Sequence, residues 1–186
     1  FRRVLFRSGA NFRKAIMVGA VLRSATLRGA VFDSADLSRA TLTDIEAAGA
    51  NFTRARLAGA NFRSADLQAA NFGRVEAPGA GFQDADLTGA MMGYGVFSQA
   101  SFRSADLSNA NLTGANFDGA DFRDADLDHA SLHGADLGSA KGLTQDQLDD
   151  ACGDGRTRLP RGLQIRTCSG VRLILRQESP RAAFRM

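Results

Sequence analysis

The chain has 186 residues, of which 44% are hydrophobic and 23% charged, a composition typical of one folded domain and not of a disordered chain. No run of 18 apolar residues occurs, so we expect no membrane-spanning helix, and two cysteines are too few for a disulfide-built scaffold. The formal charge of +3 equals the charge of residues 1–9 alone, while residues 10–140 carry −4. The sequence therefore predicts no basic surface for direct nucleic-acid binding.

Residues 1–9 form an irregular segment that does not follow the pattern of the rest of the chain. The first eight, FRRVLFRS, read as a translation of a common sequencing-library adapter. We therefore expect a sequencing artefact here, with the native start missing; a natural irregular cap is the alternative. Because a signal peptide would then be lost, localisation stays open between the cytoplasm, which is favoured, and export.

Residues 10–140 repeat a five-residue block without insertion or deletion. Alanine stands at positions 10, 15, 20 and onward, and a bulky apolar residue follows two positions later, as in Phe12, Met17 and Leu22. A period of five fits neither the 3.6-residue turn of an α-helix nor the two-residue alternation of a strand. The chain must therefore turn once in each of the 26 blocks.

Three departures from the pattern indicate that both apolar positions share one interior. Where a larger residue replaces the alanine, the bulky position shrinks to alanine, and where glycine replaces it, the bulky position is phenylalanine. The pairs are Ile45 with Ala47, Val75 with Ala77, and Gly95 with Phe97. Compensation of this kind is expected in a close-packed core of constant volume.

The blocks Ala50-Asn51-Phe52, Ala65-Asp66-Leu67 and Ala120-Asp121-Phe122 resemble the consensus of the pentapeptide-repeat family. The resemblance implies an all-β fold, a right-handed quadrilateral β-helix with four blocks and 20 residues in each coil. Such a coil would stack phenylalanines in interior columns, one from Phe12 to Phe72 and an opposite one from Phe62 to Phe122, and would let glycine corners take positive φ.

Residues 141–186 are predicted to form a C-terminal cap and tail. Thr144 and Gln147 make a capping box for a short capping helix over about 144–152, with Gly153 as its stop. Leu148, Ala151 and Cys152 would share its apolar face, and the segments 163–167 and 171–175 would be extended. Cys152 and Cys168 would form a bridge in an exported protein or remain thiols in a cytosolic one.

No motif indicates catalysis, a cofactor or a metal, so we do not expect an enzyme. Asp124, Asp126 and Asp128 alternate as in a calcium loop, but the glycine and glutamate that such a loop requires are missing. His129 and His133 are expected to be solvated. The filled interior would leave no catalytic pocket.

The predicted surface carries two charged columns. The acidic one is Glu46, Asp66, Asp86, Asp106 and Asp126, and the basic one beside it is Arg23, Arg63, Arg103 and Arg123. We expect the arginines to offset the repulsion between the stacked carboxylates in a salt ladder. A docking stripe is the functional alternative.

Two groups of residues are candidates for binding a partner. The first is the acidic end of the repeat, where residues 100–140 carry −5; its members are Asp106, Asp118, Asp121, Asp124, Asp126 and Asp128. The second is Met91 and Tyr94, which together with Val96 would form a modest apolar patch; a locally repacked coil is the alternative explanation of this stretch. We expect a non-catalytic binding or scaffold module with an unknown protein partner, with dimerisation through an end or the tail as an option. Gyrase-protecting members of the family resemble DNA, so a DNA mimic that binds a type II topoisomerase is the alternative.

Overall fold

The computed structural model describes residues 8–168. Parallel bridges join the outward residue after each alanine position to the residue 20 positions later, from Asn11–Val31 to Asp121–Lys141. Four such bridges occur in every coil, so the surface has four columns of bridged residues, which begin at Asn11, Ile16, Val21 and Thr26. We number the four sides of the coil after these columns. The β-helix and its 20-residue coil are thus confirmed. Residues 1–7 of the predicted irregular segment lie outside the described residues.

Each block folds because a tight turn returns the chain to the interior. In the first block, the Ala15 N–H donates to the Phe12 carbonyl at 3.0 Å, and Lys14 between them has a φ of +57°. The predicted positive φ is confirmed at corner glycines such as Gly59 and Gly119. Between residues 8 and 168 the same conformation occurs at 16 non-glycine residues, including Tyr94, where it costs about 1–2 kcal/mol. The hydrogen bonds between coils therefore outweigh local backbone strain at these corners.

The core is a column of phenylalanine, leucine and alanine side chains that are almost wholly buried. Rings one coil apart are stacked, with centroids 4.9 Å apart for Phe32–Phe52 and 5.0 Å for Phe62–Phe82, as the sequence predicted. The two columns also meet edge to face, with Phe72 and Phe82 centroids 5.7 Å apart. Rings in the middle of the repeat, such as Phe72 and Phe82, therefore contact both their own column and the opposite one.

The helix after the repeat is shorter than predicted. Helix α1 spans Gln145–Asp149, with Thr144 as N-cap and the predicted capping box present. Its Gln147 side chain donates to the carbonyls of Phe122 and Ala125, at 2.9 and 2.6 Å. The prediction that Ala151 and Cys152 extend the helix is wrong. The Cys152 N–H donates instead to the Ala130 carbonyl, because pairing with the last coil competes with a further helical turn.

Two short strands follow α1. Strand β1, Cys152–Gly153, pairs in parallel with β2, Arg166–Thr167. Cys152 also bridges Ser131, and Arg158 bridges Asp136, so coil pairing continues beyond residue 141 with offsets of 21 and 22 residues. A Cys152–Cys168 disulfide, with Cα atoms 4.8 Å apart, resolves the alternative that the sequence left open. The predicted extended segment 171–175 lies outside the described residues.

Candidate functional site

Where the outward residue after the alanine of a block is aspartate or asparagine, it is held by its own turn. Its carboxylate or amide oxygen accepts the backbone N–H two residues later, as in Asp106 to Ser108 at 2.9 Å and Asp126 to Asp128 at 2.8 Å. Asparagine does the same, as in Asn51 to Thr53 at 2.9 Å. Aspartate and asparagine are therefore equivalent for the fold at this position, and they differ only in the charge that they present.

The acidic column lies on the fourth side of the coil. We call this surface the acidic side; it comprises Glu46, Asp66, Asp86, Asp106, Asp126 and Asp128. Arg28 is the one basic residue among the described residues of that side, which gives a net charge of −5 with His129 neutral. The first side, in contrast, carries a net +3. The charge of the repeat is therefore distributed unevenly around the coil.

The predicted salt ladder differs from the ion pairs observed in residues 8–168. Arg28 contacts the acidic side, 2.9 Å from Asp66 and 3.8 Å from Glu46. Arg63 and Arg123 of the basic column pair instead with Asp84 at 3.1 Å and Asp121 at 2.5 Å, on their own third side. Because an arginine reaches an acid on its own side more directly, no arginine of residues 8–168 forms an ion pair with Asp86, Asp106 or Asp126. These three carboxylates therefore keep their charge for other contacts.

Hydrogen bonds lower the pKa of two carboxylates of the repeat, Asp86 on the acidic side and Asp121 on the third side. Burial by itself would raise the pKa of Asp86, but hydrogen bonds from Gln68 and Thr88 lower it overall. The Arg123 side chain lowers the pKa of Asp121 by hydrogen bonding to it, at 2.5 Å to one carboxylate oxygen. Hydrogen bonds to the charged form favour ionisation.

Replacing Asp121 by asparagine is expected to remove a stabilisation that depends on pH. Because folding lowers the pKa of Asp121, its pair with Arg123 stabilises the folded chain above about pH 4 and ceases to do so as the pH falls through the lowered pKa. The difference in Tm between wild type and Asp121→Asn, measured by circular dichroism, should be present at pH 7 and shrink in acid. Asp128→Asn is the matched control. A difference that stays constant down to pH 2 would contradict this assignment.

The six candidate aspartates lie on three different sides. Asp106, Asp126 and Asp128 are on the fourth side, Asp121 and Asp124 on the third, and Asp118 on the second, where it accepts a hydrogen bond from Ser139. The structure brings three of them together: Asp124, Asp126 and Asp128 line a cleft of about 580 Å³ between the last coil and α1, with Asp146 on the helix side. Arg123 also lines this cleft.

Met91 and Tyr94 both lie on the first side and line a shallow groove of about 340 Å³. Their exposed fractions are 47% and 64%, and the Tyr94 ring lies against Gly114. Arg54 and Arg74 line the other part of the groove. The apolar pair is therefore next to basic residues and away from the acidic side.

Sequence reasoning missed a second exposed apolar group. Ile16 and Val21 in the first described coil are 85% and 70% exposed, and Val18 is 51% exposed. The signal was present in the sequence, because β-branched residues stand at the outward bridge position that aspartate or asparagine often occupies elsewhere.

No helix of residues 8–168 is long and apolar enough to cross a bilayer. No group of three histidine, cysteine, aspartate or glutamate side chains in the same range is placed to hold a metal ion.

The family description "Pentapeptide repeats" matches residues 8–44, 47–76, 80–119 and 105–141, in eight copies. The chain belongs to the pentapeptide-repeat family. A search of curated proteins finds no match.

Several solved pentapeptide-repeat structures are similar to this one. HetL, a protein involved in heterocyst differentiation regulation from the cyanobacterium Nostoc sp. strain PCC 7120, is 28% identical, with a TM-score of 0.54 over 85% of this chain and 75% of HetL. A thylakoid-lumen protein from Arabidopsis thaliana is 33% identical, with a TM-score of 0.53 over 55% of this chain and 70% of that protein. QnrB1, a plasmid-mediated fluoroquinolone resistance protein, is 21% identical, with a TM-score of 0.45 over 81% and 92%.

Proposed function

We propose that this pentapeptide-repeat protein is a non-catalytic binding module that engages a partner protein through its acidic side. The scaffold is a right-handed, four-sided β-helix capped by α1. The observation that carries the proposal is the uninterrupted column of five carboxylates, one in each successive coil from Glu46 to Asp126. The filled interior supports a role in binding and not in catalysis.

The geometry of the column favours a basic partner. Neighbouring carboxylates are about one strand spacing apart, roughly 4.8 Å, and repel each other by about 1 kcal/mol even in water. Their own turns hold them in place, as the Asp86 oxygen accepts the Thr88 N–H at 3.0 Å, so they cannot separate freely. A partner whose lysines and arginines face the column would relieve this repulsion without reordering the chain, and complementary charge would also speed association.

The same column supports a second candidate, a DNA mimic that binds a type II topoisomerase. Five evenly spaced negative charges along about 19 Å resemble the row of phosphate charges along a nucleic-acid backbone. This candidate rests on the charge pattern alone, and the weak similarity to QnrB1 adds nothing to it. Met91 and Tyr94, on the positive first side, are proposed as a separate contact for a partner.

A gyrase supercoiling assay with and without a fluoroquinolone tests the second candidate. The variant Asp66→Asn/Asp86→Asn/Asp106→Asn/Asp126→Asn removes four charges but keeps an oxygen for each turn. The control Asp36→Asn/Asp44→Asn/Asp84→Asn/Asp136→Asn removes four charges from the other sides. Inhibition or protection by wild type and control, lost in the first variant, supports the mimic. Equal activity of both variants contradicts a role for the acidic side.

If gyrase is unaffected, the same three proteins serve as baits for partner capture. The proposal of an acidic binding side requires a partner that wild type and the control variant retain, and that the acidic-side variant releases at the same salt concentration. A partner retained equally by all three proteins would contradict it. Circular dichroism verifies that the three baits are folded.

A further inference from the structure

The Cys152–Cys168 disulfide lies where solvent and a small reagent can reach it. Both cysteines are half-buried, and together with Arg166 and Thr167 they line a cleft of about 280 Å³ that is open to the surface. The Arg166 guanidinium donates to the carbonyls of Asp150 and Ala151, at 2.6 and 3.1 Å. A fixed positive charge at the cleft would attract an incoming thiolate.

A histidine stands against one of the two sulfurs. The His133 Nδ1 atom is 3.5 Å from the Cys168 Sγ atom and 2.9 Å from the Ser131 Oγ atom. Hydrogen bonds from the N–H groups of Gly134 and Arg156 are the main causes that lower the pKa of the nearby Asp154 carboxyl, and His133 adds a smaller electrostatic contribution. The imidazole is therefore placed to donate a hydrogen bond to the Cys168 sulfur.

We propose that Cys152–Cys168 is a site of thiol–disulfide exchange that takes a dithiol reductant, with His133 as a positioning residue for the leaving thiolate. The reductant's thiolate attacks the Cys152 sulfur, the protein S–S bond breaks, and its electron pair leaves on Cys168, where an N–H at His133 Nδ1, 3.5 Å from that sulfur, stabilises the thiolate. The second thiolate of the reductant then attacks the reductant's sulfur in the mixed disulfide and releases Cys152. Two electrons pass to the protein, Cys152 takes up a proton from water and ends as a thiol, Cys168 ends as the thiolate that His133 stabilises, and the dithiol becomes a disulfide.

The disulfide also fastens the last strand pair. Strand β2 is also held by the Cys168 N–H, which donates to the Gly153 carbonyl at 3.2 Å, and by the Arg166 contacts. The residues before it are held independently, because Gln164 is hydrogen-bonded to Gln145 of α1 and Ile165 packs against the core. Because β2 covers the outer edge of β1, reduction would loosen the end of β2 at Cys168 and expose part of an unpaired strand edge. Exchange at this site would therefore act as a reversible latch on the C-terminal end of the coil.

The first experiment measures the equilibrium and rate of reduction by dithiothreitol at pH 7, with thiols trapped by a maleimide. His133→Asn is expected to shift the exchange constant about tenfold towards the disulfide, equivalent to a midpoint about 30 mV more negative, and to slow reduction several-fold. His129→Asn, at the other histidine, is the matched control and should behave as wild type. Equal midpoints for His133→Asn and wild type would overturn the role of His133. A disulfide that does not form in oxidised buffer, or that resists the dithiol in the folded protein, would overturn the site.

The second experiment measures hydrogen exchange of the backbone N–H at position 168. It compares oxidised wild type, reduced wild type and the variant Cys152→Ser/Cys168→Ser. The latch predicts that reduction and the double variant both accelerate exchange of this N–H while the amides of the repeat keep their protection. Unchanged protection at Cys168 would overturn the latch and leave only the exchange chemistry.

Discussion

Replacing Phe82 by alanine is expected to lower the free energy of unfolding by about 3–5 kcal/mol. The Phe82 ring is fully buried, stacks at 5.0 Å on both Phe62 and Phe102, and meets Phe72 and Phe97 edge to face. The cavity would lie in the middle of a narrow core whose backbone is tied by hydrogen bonds between coils, so it has little room to collapse. Equilibrium denaturant unfolding followed by circular dichroism measures the loss.

Tyr94→Ala is the matched control for this prediction. It removes an aromatic ring from the same region, but the ring is 64% exposed, so the change should be within about 0.5 kcal/mol. A loss below about 1 kcal/mol for Phe82→Ala would show that the stacked columns relax around a missing ring, contrary to the rigid core inferred here.

Adding one methyl group at Gly95 is expected to destabilise the chain by about 1–3 kcal/mol. A Cβ atom there would lie 2.5 Å from the Cε2 atom of Phe97 and 3.2 Å from the Met92 carbonyl oxygen. In a Phe97→Leu background, where the ring atoms are gone, the same substitution should cost less. Denaturant unfolding of the two single variants and the double variant should therefore give a coupling of about 1 kcal/mol or more.

Gly155→Ala is the control for the glycine prediction, because no atom lies within 4 Å of a Cβ placed there. Its effect should be within about 0.5 kcal/mol. If Gly95→Ala and Phe97→Leu proved additive, the compensation between the two inward positions of a block would be a coincidence of sequence and not a consequence of shared volume.

The surface was less predictable than the core. The six candidate aspartates are close in sequence, yet they lie on three sides of the coil, because each step of five residues moves the chain to the next side. The acidic side instead joins residues 20 positions apart, from Glu46 to Asp126. The sequence indicated that column but not its ion pairs, since the reach of a long arginine side chain depends on its rotamer and not on the repeat.

The sequence by itself determined the inward and outward positions of every block from 10 to 139. Side-chain volume and a turn every five residues are local properties, so the alternation and the compensating pairs, such as Gly95 with Phe97, could be read directly. The capping box of Thr144 and Gln147 is also local, and its prediction was correct.

Only the tertiary structure decided how the tail meets the last coil. Cys152 pairs with Ser131 at an offset of 21 residues, which ends α1 early and places Cys168 beside His133, 35 residues away in sequence. The physical reason is competition: a short helix is stabilised weakly by its own hydrogen bonds, so pairing with the edge of the coil determines where the helix ends. No repeat pattern encodes that choice, because it depends on contacts between segments that the repeat does not include.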